Sequence, residues 1–209
     1  MKNKLYDSIK RVIDICLAVV LIVVFFPVWI IVPLLIKLYS RGSVFYSHCR
    51  LGKNGREFHL YKFRTMVEDA DEILYKKDKE LLKKFKEGDW KLEDDPRITR
   101  WGKILRNLTI DEFPQLFNVL KGEMSIVGPR AYIKKEIEEQ TKKYPRTKKW
   151  MKTIFSVKPG ITGPWQTSGR NEIPFPQRAK MDYKYARNHS LWCDIVILLK
   201  TPSAMISKW

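Results

Sequence analysis

From Ile15 to Ile36 the chain carries no charged residue, and Val, Ile, Leu and Phe fill most positions. As one helix this run would extend roughly 33 Å, enough to cross a hydrocarbon core. A cleaved secretory leader fits poorly. The run is too long, Trp29 and Pro33 lie inside it, and no small-x-small cleavage site follows. Pro27, near the middle, removes a backbone hydrogen bond and predicts a kink; Pro33 predicts a second break. Basic residues flank both ends: Lys2, Lys4, Lys10 and Arg11 before, and Lys37, Arg41, Arg50, Lys53 and Arg56 after. The positive-inside rule therefore selects no outer side. A kinked span and a re-entrant helix-break-helix both remain open; length alone favours the span, and both place the following domain on the cytoplasmic face. Arg11 and Asp14, one helical turn apart at the boundary, read either as an ion pair or as two solvated charges.

The rest of the 209-residue chain is globular in composition, with a formal net charge of +17. That excess suits a polyanionic partner: nucleic acid, anionic lipid or a phosphorylated substrate. The three cysteines, Cys16, Cys49 and Cys193, show no metal-ligand spacing and no disulfide framework, which fits a reducing setting. His48, His59 and His189 lack a spaced Ser, Cys or metal partner, and neither a P-loop nor a dinucleotide fingerprint occurs.

Coarse patterning predicts a hairpin over Ser43–Arg64, with Gly52-Lys53-Asn54-Gly55 as its turn, and a surface helix over Met66–Gly88. A basic amphipathic helix follows over Ile98–Leu108, in a stretch carrying Arg97, Arg100, Lys103 and Arg106. A short helix over Glu112–Leu120 ends at Gly122, and Met124–Val127 is strand-like. Tyr132–Phe155 reads as helix broken at Pro145, and Pro159–Asn171 as a Gly/Pro-rich loop. The stretch from Arg178 reads as helix up to Pro202. Trp150, Trp192 and Trp209 suit either interfacial helices or the core.

The most informative stretch runs from Arg106 to Leu116 and contains Asp111-Glu112. Thr109 and Glu112 have capping-box spacing, which explains the acids without chemistry. Pro114 weakens that reading, because it would fall where the helix needs an N–H. A helix starting near Asp111 puts both carboxylates at its mouth. Two carboxylates beside arginines can hold a divalent cation and a diphosphate, and one of them can attack phosphorus.

A series of motifs then occurs in order. They are Lys10-Arg11-Val12-Ile13-Asp14 before the Pro-broken run, Tyr61-Lys62-Phe63-Arg64-Thr65-Met66, Asp95-Pro96-Arg97-Ile98-Thr99, Leu105-Arg106, Asp111-Glu112-Phe113-Pro114-Gln115-Leu116-Phe117-Asn118-Val119-Leu120, Met124-Ser125-Ile126-Val127-Gly128-Pro129-Arg130 and Pro159-Gly160-Ile161-Thr162-Gly163. Over nearly its whole length the chain resembles the bacterial sugar transferases, the monotopic phosphoglycosyl transferases, in their minimal form.

The resemblance implies an α+β, mostly α, fold. Residues 1–40 would form a re-entrant membrane helix with Pro27 at its vertex and Arg11 and Asp14 at its base. Residues 41–209 would form one catalytic domain on the cytoplasmic face, with a small β-hairpin and amphipathic interfacial helices. It further implies a ping-pong reaction between a UDP-sugar and a polyprenol phosphate, with Asp111 as nucleophile and Mg²⁺ held by Glu112 and Asp111. Arg106, Arg130, Lys62, Arg64, Arg97, Gln166 and Arg170 are the substrate-binding candidates. Anionic membrane lipid is the expected surface partner, and nucleic acid is not expected. The chain departs from the family pattern at Ala131, where a proline often follows Gly-Pro-Arg, and at Pro164. The sugar, the polyprenol length, the pathway and the oligomeric state stay open. Competing readings are a tethered basic module that binds polyanions without needing Asp111, and another lipid-phosphate enzyme releasing phosphate or a nucleoside diphosphate.

Overall fold

Helix formation at the N-terminus follows the apolar run, and the proline divides it. The computed structural model describes residues 4–88, 90, 92, 94–169 and 173–205. Helix α1 spans Lys4–Val24 and α2 spans Val28–Tyr39. The two are bent by 62° at the break. Among the described residues no single helix is long and apolar enough to cross a membrane, although the bent pair together has the length and composition. Pro27 offers no N–H, and the turn closes instead through Val28 N–H to Phe25 O (2.9 Å) and Trp29 N–H to Phe26 O (3.0 Å). Pro33, expected to break the chain again, sits inside α2 without ending it.

The arm is divided by face. Val12, Val20, Val23, Ile31, Leu34 and Leu38 are exposed, while Ala18, Val32 and Ile36 are buried. Ala18 packs in one core with Leu116, Val119, Met124 and Ile126. Polar contacts fix the same junction. Arg11 donates to Val119 O (2.6 Å) and Leu120 O (2.9 Å), at the carbonyl end of a later helix. Asp14 is buried and accepts from Ser125 Oγ (2.7 Å) and Ile126 N–H (3.0 Å), with Lys10 Nζ 3.3 Å away. The mutual Arg11–Asp14 pair is thus replaced by two separate fastenings into the rest of the fold. Tertiary partners with fixed geometry outcompete a surface pair worth a few tenths of a kcal/mol.

Strands β1 (Phe45–Leu51) and β2 (Glu57–Phe63) form the expected antiparallel hairpin, in the register Phe45↔Phe63 to Leu51↔Glu57. Asn54 and Gly55 carry the positive φ of its turn. The surface helix expected over Met66–Gly88 is instead interrupted. A short α3 (Ala70–Glu72) passes into a π turn, Ile73–Lys77, and α4 (Lys79–Glu87) starts afresh. Asp78 causes the restart: its carboxylate accepts the Leu81 N–H at 2.8 Å and caps α4.

Helix α5 (Arg100–Asn107) begins two residues later than expected, because Ile98 bridges to Met66 and Thr99 accepts the Gly102 N–H at 3.0 Å. A Cβ at Gly102 would run into the Thr65 carbonyl. Gly102→Ala is expected to cost about 2–4 kcal/mol of stability, read as a lowered thermal midpoint in detergent.

After α5 come a 3₁₀ turn, Ile110–Glu112, and α6 (Gln115–Lys121), which ends at Gly122 with φ 83°. Strand β3 (Ser125–Val127) then pairs in parallel with β4 (Gly160–Thr162). The Gly/Pro-rich loop therefore contains a strand. Its glycines permit the pairing: a Cβ at Gly160 would strike Gly128 N, and one at Gly163 would strike Gly128 O. Helices α7 (Lys134–Lys143) and α8 (Lys148–Ile154) flank Pro145 as expected.

The C-terminal helix is two helices, α9 (Phe175–Asn188) and α10 (Leu191–Met205), divided where Ser190 Oγ accepts the Cys193 N–H (3.2 Å). Pro202 lies within α10 and does not end it. Trp150 stacks on Tyr183 and Trp192 is exposed, whereas Trp209 lies outside the described residues. Among the described residues the fold is α+β, mostly helical with two two-stranded sheets.

Candidate active site

The site is made by the turn between α5 and α6. Thr109 adopts φ 57°, a left-handed conformation that a β-branched residue enters only under constraint. This reversal lets the 3₁₀ turn carry Asp111 inward. Thr109 places no side-chain cap on that turn, and α6 begins only at Gln115, with Pro114 as its N-cap. The acids therefore stand one turn ahead of the α-helix rather than in its first turn, because Pro114 suits a helix start and not its interior.

Asp111 is 1% exposed. Lys62, from β2, places Nζ 3.4 Å from Asp111 Oδ2 and 2.7 Å from Glu112 Oε1. Asp111 Oδ1 is buried and takes no hydrogen bond. Burial pushes the Asp111 carboxyl above the usual carboxylate range. Lys62 opposes that shift, Glu112 adds to it, and Arg106 opposes it. Arg106 anchors Nε on Thr65 Oγ1 at 2.9 Å. Burial lowers its guanidinium pKa and the Asp111 charge raises it. One oxygen of a sequestered carboxylate is thus steered by a cation while the other is left bare. Glu112 is more open, its side chain 21% exposed.

Among the described residues no group of three His, Cys, Asp or Glu side chains is placed to hold a metal. Mg²⁺ commonly takes one or two carboxylates and completes its shell with substrate phosphate and water. The Asp111–Glu112 pair, with Oδ1 unspent, fits that kind of donor set.

The remaining sequence-derived candidates are dispersed. Arg64 donates to Ser40 O (2.9 Å) and lines a narrow cleft with Tyr39, Trp101 and Leu105 between α2 and α5. Arg97 is buried against Asp95, at 2.8 Å (Nε) and 2.6 Å (Nη2), so its charge is already spent. Arg130 and Gln166 lie on the loops after β3 and β4, and Arg170 lies outside the described residues.

A second group of charges surrounds Arg130. Arg130 N–H and Tyr132 O–H both donate to Asp182 Oδ2 (3.1 and 2.8 Å), and Arg178 Nη2 lies 3.6 Å from Glu136 Oε1. Nothing local in the sequence marks Arg50, Arg178, Glu136 or Asp182, because α7, α9 and β1 meet only through the tertiary fold.

Burial raises the Asp182 pKa from 3.8 to about 6. The native state then binds more protons than the unfolded chain between those values. The stabilisation is complete below pH 3.8 and is lost as pH rises through 6, on the order of 2–3 kcal/mol. Asp182→Asn should flatten that decline, measured as thermal midpoint against pH from 4 to 7.

The bacterial sugar transferase family model matches residues 5–208. The chain belongs to this family. An exopolysaccharide production protein, ExoY, of Sinorhizobium fredii is 40% identical over 204 residues, covering 95% of this chain and 86% of the relative. An undecaprenyl-phosphate galactose phosphotransferase of Salmonella typhimurium is 38% identical over 211 residues, covering 96% of this chain and 41% of the relative. A UDP-N-acetylgalactosamine-undecaprenyl-phosphate N-acetylgalactosaminephosphotransferase of Aeromonas hydrophila is 35% identical, covering 96% of this chain and 44% of the relative. This sugar transferase therefore matches both a protein of similar length and less than half of longer ones.

Proposed function

We propose that the protein transfers a sugar 1-phosphate from a UDP-sugar to a polyprenol phosphate, through a covalent intermediate on Asp111. The observation that carries this is the buried Asp111, with Oδ2 held by Lys62 and Oδ1 unpartnered, in a family with relatives named as undecaprenyl-phosphate sugar phosphotransferases. Asp111 attacks the β-phosphorus and the bond to the α-phosphate oxygen breaks, so UMP leaves and the phosphosugar stays on the carboxylate. An oxygen of the polyprenol phosphate then attacks the same phosphorus. The Asp111–phosphorus bond breaks, and polyprenyl diphosphate sugar leaves with the carboxylate restored.

Lys62 and Arg106 offset the repulsion between carboxylate and phosphate, which in a desolvated site is the largest obstacle to attack. Glu112, with Asp111, would hold Mg²⁺; when bound, the ion neutralises diphosphate charge and stabilises the leaving oxygen. The bent α1–α2 arm is read as re-entrant, with Pro27 at its vertex and both flanks on the cytoplasmic face. This monotopic placement keeps Asp111 at headgroup level, where a lipid-borne phosphate reaches it. The exposed stripe on α10, Trp192, Ile195 and Leu199, suits the same interface.

The test incubates purified protein with a panel of UDP-sugars, Mg²⁺ and undecaprenyl phosphate and measures the nucleotide released. UMP from at least one donor, dependent on the acceptor for turnover, is expected. UDP, or free phosphate, would favour the competing enzyme readings. Topology is tested separately with single cysteines at Asp7 and Lys53 in a cysteine-free background. Both should resist a membrane-impermeant reagent in intact cells; labelling of the Asp7 position alone would establish a span.

A further inference from the structure

Lys62 and Arg106 account for the positive charge at Asp111, but a separate concentration of arginine lies further along the hairpin. Side chains alternate along a strand, so Tyr46, His48 and Arg50 share one face with their register partners Lys62, Leu60 and Phe58. Arg50 is thus four residues along β1 from the pair that contains Lys62, about 13 Å at ~3.3 Å per residue. The end of β1 is stitched to the loop after β3: Leu51 N–H donates to Tyr132 O (2.9 Å) and Arg50 Nη1 to Ala131 O (3.1 Å). These bonds set the Arg50 guanidinium beside Arg130.

The two cations sit close enough to oppose each other. Burial and the Arg130 charge bring the Arg50 pKa down to about 10. Behind them, Trp165 lies between two guanidiniums, with Arg130 5.1 Å and Arg178 5.5 Å from its ring centroid. Arg178 is 0% exposed and none of its three guanidinium nitrogens makes a hydrogen bond; Nε of Arg50 and Nε of Arg130 are likewise buried and unbonded. Among the described residues the Arg130 guanidinium donates to no oxygen. Three arginines face two buried carboxylates, Glu136 and Asp182, and burial holds Asp182 toward its neutral form. Uncompensated like charge in a buried cluster is costly and is relieved when an anion accepts the spare donors.

We propose that Arg50 and Arg130, backed by Trp165 and Arg178, form a second phosphate site that holds the phosphate leaving with the nucleoside, while Lys62 and Arg106 serve the phosphate attacked by Asp111. This rests on the transfer reading above. The nucleotide is favoured over the acceptor by position. Helix α2 packs on the open end of the hairpin, in a cluster with Phe63, Val44 and Leu105. Arg50 lies toward the opposite, turn end, away from α2. The Glu112 charge also acts on Arg50, so the long side chains at the two ends of the hairpin reach toward one another over the buried Phe58 and Leu60. A donor diphosphate would therefore bridge the two groups, its sugar-bearing phosphate at Asp111 and its nucleoside phosphate at Arg50 and Arg130. Arg178 acts as a positioning residue: it holds Trp165, which in turn holds Arg130.

The experiment measures UMP binding to full-length protein by isothermal titration, together with KM for each substrate. Arg50→Gln and Arg130→Gln should each weaken UMP about 10-fold or more and raise KM for the UDP-sugar, leaving KM for undecaprenyl phosphate unchanged. Arg50→Lys should recover part of the loss. Arg178→Lys should retain more UMP affinity than Arg178→Met. Unchanged UMP affinity in a folded Arg50→Gln or Arg130→Gln protein would overturn the inference, as would a rise in the acceptor KM instead. If wild type turns over UDP-sugar yet Arg50→Gln binds UMP normally, only the second site fails. If wild type neither binds UMP nor releases it from any UDP-sugar, the transfer reading fails with it.

Discussion

Asp111→Asn is expected to lower turnover by roughly 10³-fold or more while leaving the thermal midpoint within a few degrees of wild type. The amide keeps the size of the carboxylate and can still take the Lys62 contact through its oxygen, so the buried turn should survive. What it lacks is a nucleophile able to form an acyl phosphate. Removing a buried negative charge whose protonated form is already favoured by burial also argues against a large loss of stability. Glu112→Gln separates the roles. Its side chain is partly exposed and its proposed task is to hold the ion, so its loss should be smaller and should shrink at raised Mg²⁺. The pair of titrations against Mg²⁺ concentration decides between a nucleophile and two interchangeable carboxylates. Equal losses for both variants, equally rescued by Mg²⁺, would remove Asp111 from the nucleophile's role.

Asp14→Ala carries the largest expected effect on folding. It would strand the Ser125 hydroxyl and the Ile126 N–H, and it would leave Lys10 facing Asp194 alone at 3.1 Å. Breaking a buried, hydrogen-bonded charge in this way costs about 3–5 kcal/mol. Because Asp14 ties α1 to β3, and β3 pairs with β4 ahead of Trp165, the loss should reach the catalytic loops as well as the arm. Thermal melts in detergent and limited proteolysis check this: the variant should melt lower and be cut in the loop after β4 sooner than wild type. A wild-type midpoint would show that the arm and the domain are not coupled through Asp14.

The sequence carried the local features well. The apolar run with Pro27, the hairpin turn at Asn54-Gly55, and Asp111-Glu112 ahead of Pro114 each depend on residues within a few positions of one another. The features that eluded it are non-local. Pro159–Asn171 reads as loop because its Gly-rich strand pairs only with Ser125–Val127, more than thirty residues away in the chain. Arg11 and Asp14 look like a local pair until α6 and β3 supply better partners. Arg97 resembles a substrate ligand in a motif until the fold buries it, with Nη1 donating to Ala70 O far earlier in the chain and its charge taken up by Asp95. Arg50 and Arg178 are unremarkable among 40 basic residues, and only the fold sets them around Trp165 and Arg130.

The covalent step is the central claim, and intact-protein mass spectrometry tests it most directly. Wild type incubated with a competent UDP-sugar and Mg²⁺, without polyprenol phosphate, should gain the mass of one sugar phosphate and release an equal amount of UMP. Fragmentation should place the added mass on Asp111, and undecaprenyl phosphate should discharge it. Rapid turnover to polyprenyl diphosphate sugar with no adduct at any time, and with UMP released only when both substrates are present, would contradict the account and favour direct transfer.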